Sequence, residues 1–148
     1  MTLGQQVAVM RDGRVEQSGP PLEVYARPVN TFVARFIGSP AMNLLAAPVP
    51  GIAAPAGSLV GVRPQDVLLD ANGPLGATVD VIEPRGHDTV VYLRLDAPGS
   101  PSAVALTTAT PPAEHAQVRL AFRPGRLHLF DLRTGSRLAG PSVPSFVP

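Results

Sequence analysis

Two hydrophobic textures divide the chain. In the first forty residues, Val7-Ala8-Val9-Met10 is apolar at every position, the pattern of a strand covered on both faces. Arg11-Asp12-Gly13-Arg14 follows, and Asp-Gly between strands is a strong type I′ hairpin signal, with Val15-Glu16-Gln17 as the returning strand. Two short helices come next. Pro20 or Pro21 opens the first, which runs through Leu22, Val24 and Tyr25 and must stop before Pro28. Asn30 is placed to cap the second, whose Phe32/Phe36 and Val33/Ile37 pairs stack one turn apart before Gly38 and Pro40 end it.

From Met42 onward the pattern changes to short alternating strands separated by Gly/Pro turns. Asn43 to Ala47 and Ser58 to Val62 are the first two candidates. From Gly76 to Glu83, Ala77, Val79 and Val81 alternate with Thr78, Asp80 and Ile82. Val91, Leu93 and Leu95 form another apolar face, Ala103 to Thr107 a weaker one, and Val118, Leu120 and Phe122 a clear one, with Leu127 to Phe130 closing the series. Strands so spaced predict a small closed or sandwiched all-β unit, and about a hundred residues suffice for its core. The chain is expected to be mainly β: a small oligonucleotide-binding-like barrel or sandwich, preceded by a hairpin and two short helices. A Pro/Ser tail at 140–148 is expected to be extended or disordered.

The opening unit is not self-sufficient. A doubly covered strand needs neighbours and helices that a lone hairpin does not supply. The expectation is that residues before Met1 provide the missing sheet, Met1 being an internal methionine, an artificial boundary or a shortened gene start.

Composition narrows the function classes. Lys+Arg 12 against Asp+Glu 11 leaves a net charge of +1, which argues against duplex DNA or an anionic membrane as partner. Cys 0 excludes disulfides and thiolate-bound metals. The apolar runs fall far below the ~18 residues of a membrane span, and no leader pattern follows Met1. A cytosolic or membrane-peripheral chain is expected. Pro 18 and Gly 14, together about 22% of the residues, stay short of a low-complexity chain at roughly 25–30%. All the basic residues are Arg, which with the Ala/Pro/Gly content reads as a GC-rich genome rather than a site.

Candidate chemistry is sparse. His87, His115 and His128 fall in three separate segments, whereas a metal needs convergent ligands. His87-Asp88 follows Gly86 in a turn, and Ser100, Ser102 and Thr89 lie in other segments, so no nucleophile–base pair is assembled. Tyr92, Phe122, Phe130 and Phe146 lack the basic groove that single-stranded nucleic acid requires. Arg63-Pro64 is the most informative pair. An Arg ending an apolar strand either meets an anionic ligand or is tied to carbonyls or a carboxylate and fixes a corner; the corner is the favoured reading, with Asp66, Asp88 and Glu83 as candidate partners.

A family resemblance then becomes specific. Met1-Thr2-Leu3-Gly4, then Val7-Ala8-Val9-Met10-Arg11-Asp12-Gly13-Arg14-Val15-Glu16-Gln17, resembles the end of an ABC-transporter ATPase domain. Gly19-Pro20-Pro21-Leu22-Glu23-Val24-Tyr25 with Pro28, then Phe32-Val33-Ala34-Arg35-Phe36-Ile37-Gly38-Ser39-Pro40 and Met42-Asn43, is similar to the carbohydrate-importer branch, of maltose and glycerol-3-phosphate type. Gly61-Val62-Arg63-Pro64-Gln65-Asp66 looks like that branch's Gly-Ile-Arg-Pro-Glu segment. Val81-Ile82-Glu83 with Gly86 resembles its Glu-x-x-Gly turn, and Leu127-His128-Leu129-Phe130-Asp131 with Thr134-Gly135 its closing strand. Gln5-Gln6, Gln65 in place of Glu, and Arg85 in place of Leu or Met depart from the pattern.

The resemblance implies residues 1–41 as the remnant of an ATPase domain and 42–139 as a regulatory and dimerisation barrel of TOBE type. Arg63, Pro64, Gln65, Asp66, Glu83, Gly86 and His87 are then the structural or regulatory candidates. The implied partners are a second copy, membrane permeases and a cytosolic regulatory protein, at the inner face of the membrane. ATP and Mg are implied for the full-length subunit only. The chain has no Lys, so it holds no G-x-x-x-x-G-K-[ST] phosphate loop. Neither catalytic, metal nor cofactor residues are expected in it. The transported solute stays open between sugar, polyamine, iron, molybdate and glycerol phosphate. A freestanding ligand-sensing barrel is the rival reading.

Overall fold

A computed structural model describes residues 5–138. The 140–148 tail lies outside the described residues. β1 (Val7–Arg11) and β2 (Arg14–Gly19) form the hairpin, turning on Asp12 at φ 51° and Gly13 at φ 77°, the two left-handed positions a type I′ turn demands. Helix α1 (Pro21–Ala26) begins behind Pro20. Helix α2 (Thr31–Phe36) is capped by Asn30, whose Oδ1 accepts from Val33 N at 2.9 Å. Val9, Val24 and Val33 close a small core against Val7, Phe32 and Ile37.

The β region holds two sheets. A three-stranded one has β4 (Ser58–Val62) between β3 (Asn43–Ala46) and β10 (His128–Asp131). A five-stranded, nearly closed one runs β5 (Val67–Leu69), β9 (Gln117–Phe122), β6 (Leu75–Pro84), β7 (Thr89–Leu95) and β8 (Ser102–Thr107). All pairings are antiparallel. Leu45, Val60 and Val62 of the small sheet pack with Val79, Val91, Leu93, Leu120 and Phe122 of the large one in the main core. The opposite face of the small sheet turns toward α2, where Met42 and Phe130 meet Ala34, with Leu44 and Leu59 beside them.

Strand alternation on β4 therefore separates two environments: Val60 and Val62 face the barrel core, while Leu59 and Gly61 face the helices. Gly61 is required there, because a Cβ would stand 2.6 Å from Met42 Sδ and 2.9 Å from Phe130 Cε2. The next residue on that helix-facing side is Arg63.

In β1 Val9 is buried while Ala8 and Met10 are exposed, so the described residues cover one face of this all-apolar strand and leave the other open. One expectation needs correction. Val81 does not continue the inward face of Ala77 and Val79. The register shifts between Val79 and Val81, leaving Asp80 as an extra residue. This bulge turns Val81 outward, 51% exposed, and brings Ile82 onto the core instead. Beyond this, the short 3₁₀ turn Pro64–Asp66 and strand β5 are elements that the apolar alternation alone did not mark.

Candidate functional site

The most constrained polar group is Arg63, at the end of β4 and only 3% exposed. Its Nη1 donates to Ala34 O at 2.9 Å and to Ile37 O at 2.6 Å, and its Nη2 donates to Tyr25 O at 2.9 Å. These carbonyls belong to the C-terminal turns of α1 and α2, the ends that carry orphan acceptors and partial negative charge. One guanidinium thus caps two helices at once. The Tyr25 ring lies beneath it, 4.0 Å from Cζ to the centroid. Burial lowers the Arg63 pKa, opposed by Tyr25 and Asp66. Nε is buried without a partner among the described residues.

The cap needs Gly38. This residue sits at φ +110°, and a Cβ there would lie 3.1 Å from Arg63 Nη1 and 3.5 Å from the Tyr25 ring. Gln65, exposed in the 3₁₀ turn, donates through Nε2 to the Tyr25 hydroxyl. Buried Pro64 starts that turn. A second set of bonds holds the α1–α2 connection from the other side: Thr31 N donates to Gly135 O, Arg137 N to Val29 O, and Arg137 Nη1 to Pro28 O. The hairpin joins in as well, since Gln17 bonds both Arg27 O and Val29 N, and Asn30 donates to Glu16. Polar bonds therefore join the hairpin to the helix region and the helix region to the barrel.

None of the three carboxylates weighed as partners bonds Arg63. Asp66 Oδ1 accepts from Arg123 Nε at 3.2 Å. Its burial raises the carboxyl pKa, against the pull of Arg126 and Arg123. Asp88 takes a bidentate pair from Arg85 at 2.9 Å on each oxygen. Glu83 accepts from the Tyr92 hydroxyl at 3.2 Å.

The candidates thus fall into two groups. Arg63, Pro64, Gln65 and Asp66 form one corner facing the helices. Glu83, Gly86 and His87 lie at the β6–β7 hairpin tip, where Gly86 takes φ +99° and the His87 side chain is 88% exposed. Sequence reasoning missed Tyr25 and Arg137 as partners in the helix contacts, and it also missed Asn43, 7% exposed, whose amide bonds both Val104 N and Val104 O. Strand parity through Leu59 and Gly61 is the signal that puts Arg63 on the helix side. Nothing local marks the others.

Among the described residues no group of three His, Cys, Asp or Glu side chains is placed to hold a metal. No described helix is long and apolar enough to cross a membrane.

Comparison with known proteins bears on the whole chain. Residues 60–130 match the model of the TOBE domain. The chain is 40% identical, over 93% of its length, to the sn-glycerol-3-phosphate import ATP-binding protein UgpC 3 of Rhizobium johnstonii, of which it covers 43%. It is 37% identical over 95% of its length to the ABC transporter ATP-binding protein y4oS of Sinorhizobium fredii, covering 43% of it. The xylose/arabinose import ATP-binding protein XacK of Haloferax volcanii is 34% identical over 98% of this chain, which covers 44% of it. The chain spans less than half the length of the curated relatives it matches.

Proposed function

We propose that this chain, which carries a TOBE domain and is related over nearly all its length to the C-terminal region of ABC-importer ATP-binding subunits, serves as the regulatory and dimerisation part of such a subunit. The subunit would power import of a sugar or similar polar solute. The similarity across 93–98% of the chain to proteins named for glycerol-3-phosphate and xylose/arabinose import carries this reading. ATP and Mg would be held by the part of the subunit that this chain does not span. Its partners would be a second copy, membrane permease subunits and a cytosolic regulatory protein, at the inner face of the membrane.

Within that reading, residues 1–41 end the ATPase domain and 42–139 form the barrel that acts on it. The Arg63 contacts supply the joint. A cation that closes the ends of both helices makes any displacement of the barrel a displacement of the helices and of the hairpin bonded to them. Regulation requires contacts that differ between two states, and a stiff joint lets such a difference at the barrel reach the ATPase part.

The test uses a full-length subunit with and without residues 42–139. Nucleotide affinity should be nearly unchanged by the deletion while dimer mass falls, because a tether raises effective concentration to roughly millimolar without touching nucleotide. Lost nucleotide affinity with an intact dimer would reverse the assignment.

A further inference from the structure

We propose that Asn72 is a site of spontaneous deamidation, suppressed while the turn between β5 and β6 is closed and released when that turn opens. Of the three asparagines, Asn72 alone is followed by glycine, and its side chain is exposed. Succinimide formation needs the next residue's amide nitrogen to reach the asparagine side chain, and glycine has no Cβ to obstruct that approach. Asn30 and Asn43 precede Thr31 and Leu44, whose side chains crowd it.

The chemistry requires no co-reactant beyond water. Gly73 N attacks Asn72 Cγ, and as the new C–N bond closes the succinimide ring, its proton passes through solvent to the departing amide. That amide leaves as ammonia. Water then opens the ring at either carbonyl, giving aspartate, or isoaspartate with an extra methylene in the backbone.

The closed turn opposes the first step. Gly73 N donates to Asp70 O at 2.8 Å, and Asn72 N donates to Asp70 Oδ1 at 2.9 Å, so the attacking nitrogen is held on Asp70 rather than on Asn72 Cγ. Asn72 has no positive φ, which with the Asp70–Gly73 bond makes this a type I turn, its third residue at ψ about 0°. Cyclisation requires that bond to rotate, and Arg119 resists the rotation. Its Nε donates to Gly73 O at 2.6 Å and its Nη2 to Pro74 O at 2.9 Å, while its own carbonyl accepts from Asp70 N at 3.0 Å. Gly73 is buried against β9, where a Cβ would stand 2.2 Å from Leu120 O. Reaction at Asn72 therefore means lifting Gly73 off β9 and breaking its bonds to Asp70 and Arg119. The same tight seat has no room for the isoaspartate methylene, so the turn does not reclose on that product. In the folded chain the rate is the unfolded-chain rate multiplied by the fraction of time the turn is open.

Incubation of the 148-residue chain in mildly alkaline buffer, with and without unfolding urea, tests this by peptide mass spectrometry at Asn30, Asn43 and Asn72. Asn72 should deamidate at least about tenfold faster in urea, while Asn30 and Asn43 stay intact over the same period in both. Arg119→Ala, at an exposed position, removes two of the bonds that hold the turn. It should accelerate Asn72 in the folded chain at least about fivefold, with the circular dichroism unchanged. The comparison on the unaltered chain decides the matter whether or not that variant folds. Equal rates in the folded and urea-unfolded chain, an intact Asn72 in urea, or a folded Arg119→Ala that reacts no faster would each overturn the proposal.

Discussion

Arg137 Nη1 lies 3.1 Å from His128 Nδ1, and because a guanidinium can only donate, that ring nitrogen must be the acceptor. The His128 ring is therefore neutral in this arrangement, with its proton on Nε2. It stacks on Phe130 at 6.4 Å between centroids. Burial, then the charge of Arg137, then that of Arg63, push its pKa down to about 4 from 6.5. No carboxylate is within ion-pair distance of it to offset these cations among the described residues. The pair sits where β10 meets the α1–α2 connection.

Acid should therefore weaken the fold through this ring before ordinary carboxylates titrate. The folded pKa is depressed, so between pH 6.5 and about 4 the unfolded chain binds a proton that the folded chain refuses, and stability falls as pH falls. The full shift is discounted for the ring's partial exposure, leaving a loss on the order of 2 kcal/mol across that window. Urea unfolding at pH 7 and pH 4.5, on the chain and on His128→Gln, measures it. The variant should lose most of the slope; an equal slope in both would place the acid sensitivity elsewhere.

Arg63→Met keeps most of the stem and removes three carbonyl bonds and the charge over Tyr25. Each helix end is left with acceptors buried beneath apolar neighbours, and the expected cost is about 3 kcal/mol. The distribution of the effect is the sharper readout. Amide exchange in α1 and α2 should accelerate while β6, β7 and β9 keep their protection. Gly38→Ala, crowding the same guanidinium from a left-handed position, should act in the same direction at about 1–3 kcal/mol. Uniform acceleration through the barrel would mean Arg63 supports global stability rather than the joint.

Local chemistry made the hairpin and helices legible. Asp12-Gly13 dictates its own turn, and Asn30 reaches only three residues to cap α2. The bulge at Asp80 has no such signature, since it exists only when β6 is laid against β7, and alternation through Val81 reads as uninterrupted. Arg63 shows a different limit. A buried cation invites a search for a carboxylate, yet three helix-end carbonyls supplied by residues 26 to 38 positions away in the chain do that work. Its side of β4 follows from parity with Leu59 and Gly61, whereas its partners depend on where the helices dock.

The isolated chain is expected neither to bind nor to hydrolyse ATP. Phosphate grip uses backbone amides with a Lys and a hydroxyl-held magnesium ion, and the sequence contains no Lys. Isothermal calorimetry of the 148-residue chain with ATP and magnesium should show no micromolar binding. Saturable heat at micromolar ATP would require an unrecognised nucleotide site.

Asn43 offers the clearest separation of barrel closure from helix docking. Its Oδ1 accepts from Val104 N at 2.7 Å, and its Nδ2 donates to Val104 O at 2.8 Å and to Val62 O at 3.2 Å. The side-chain amide thus reproduces one rung of a β ladder on the outer edge of β8, joining the small sheet to the large one where no backbone strand reaches. Asn43→Leu preserves size but leaves both Val104 groups unpaired at a largely buried seam, at an expected cost of about 2–4 kcal/mol. Asn43→Asp keeps the acceptor and loses the donor, so it should retain Val104 N protection while setting a carboxylate against Val104 O. Hydrogen exchange at the Val104 amide distinguishes the two: fast in the Leu variant, slower in the Asp variant, with α1 and α2 unchanged in both. If Val104 stays protected in Asn43→Leu, the rung does not close the barrel and the seam is held by apolar packing alone.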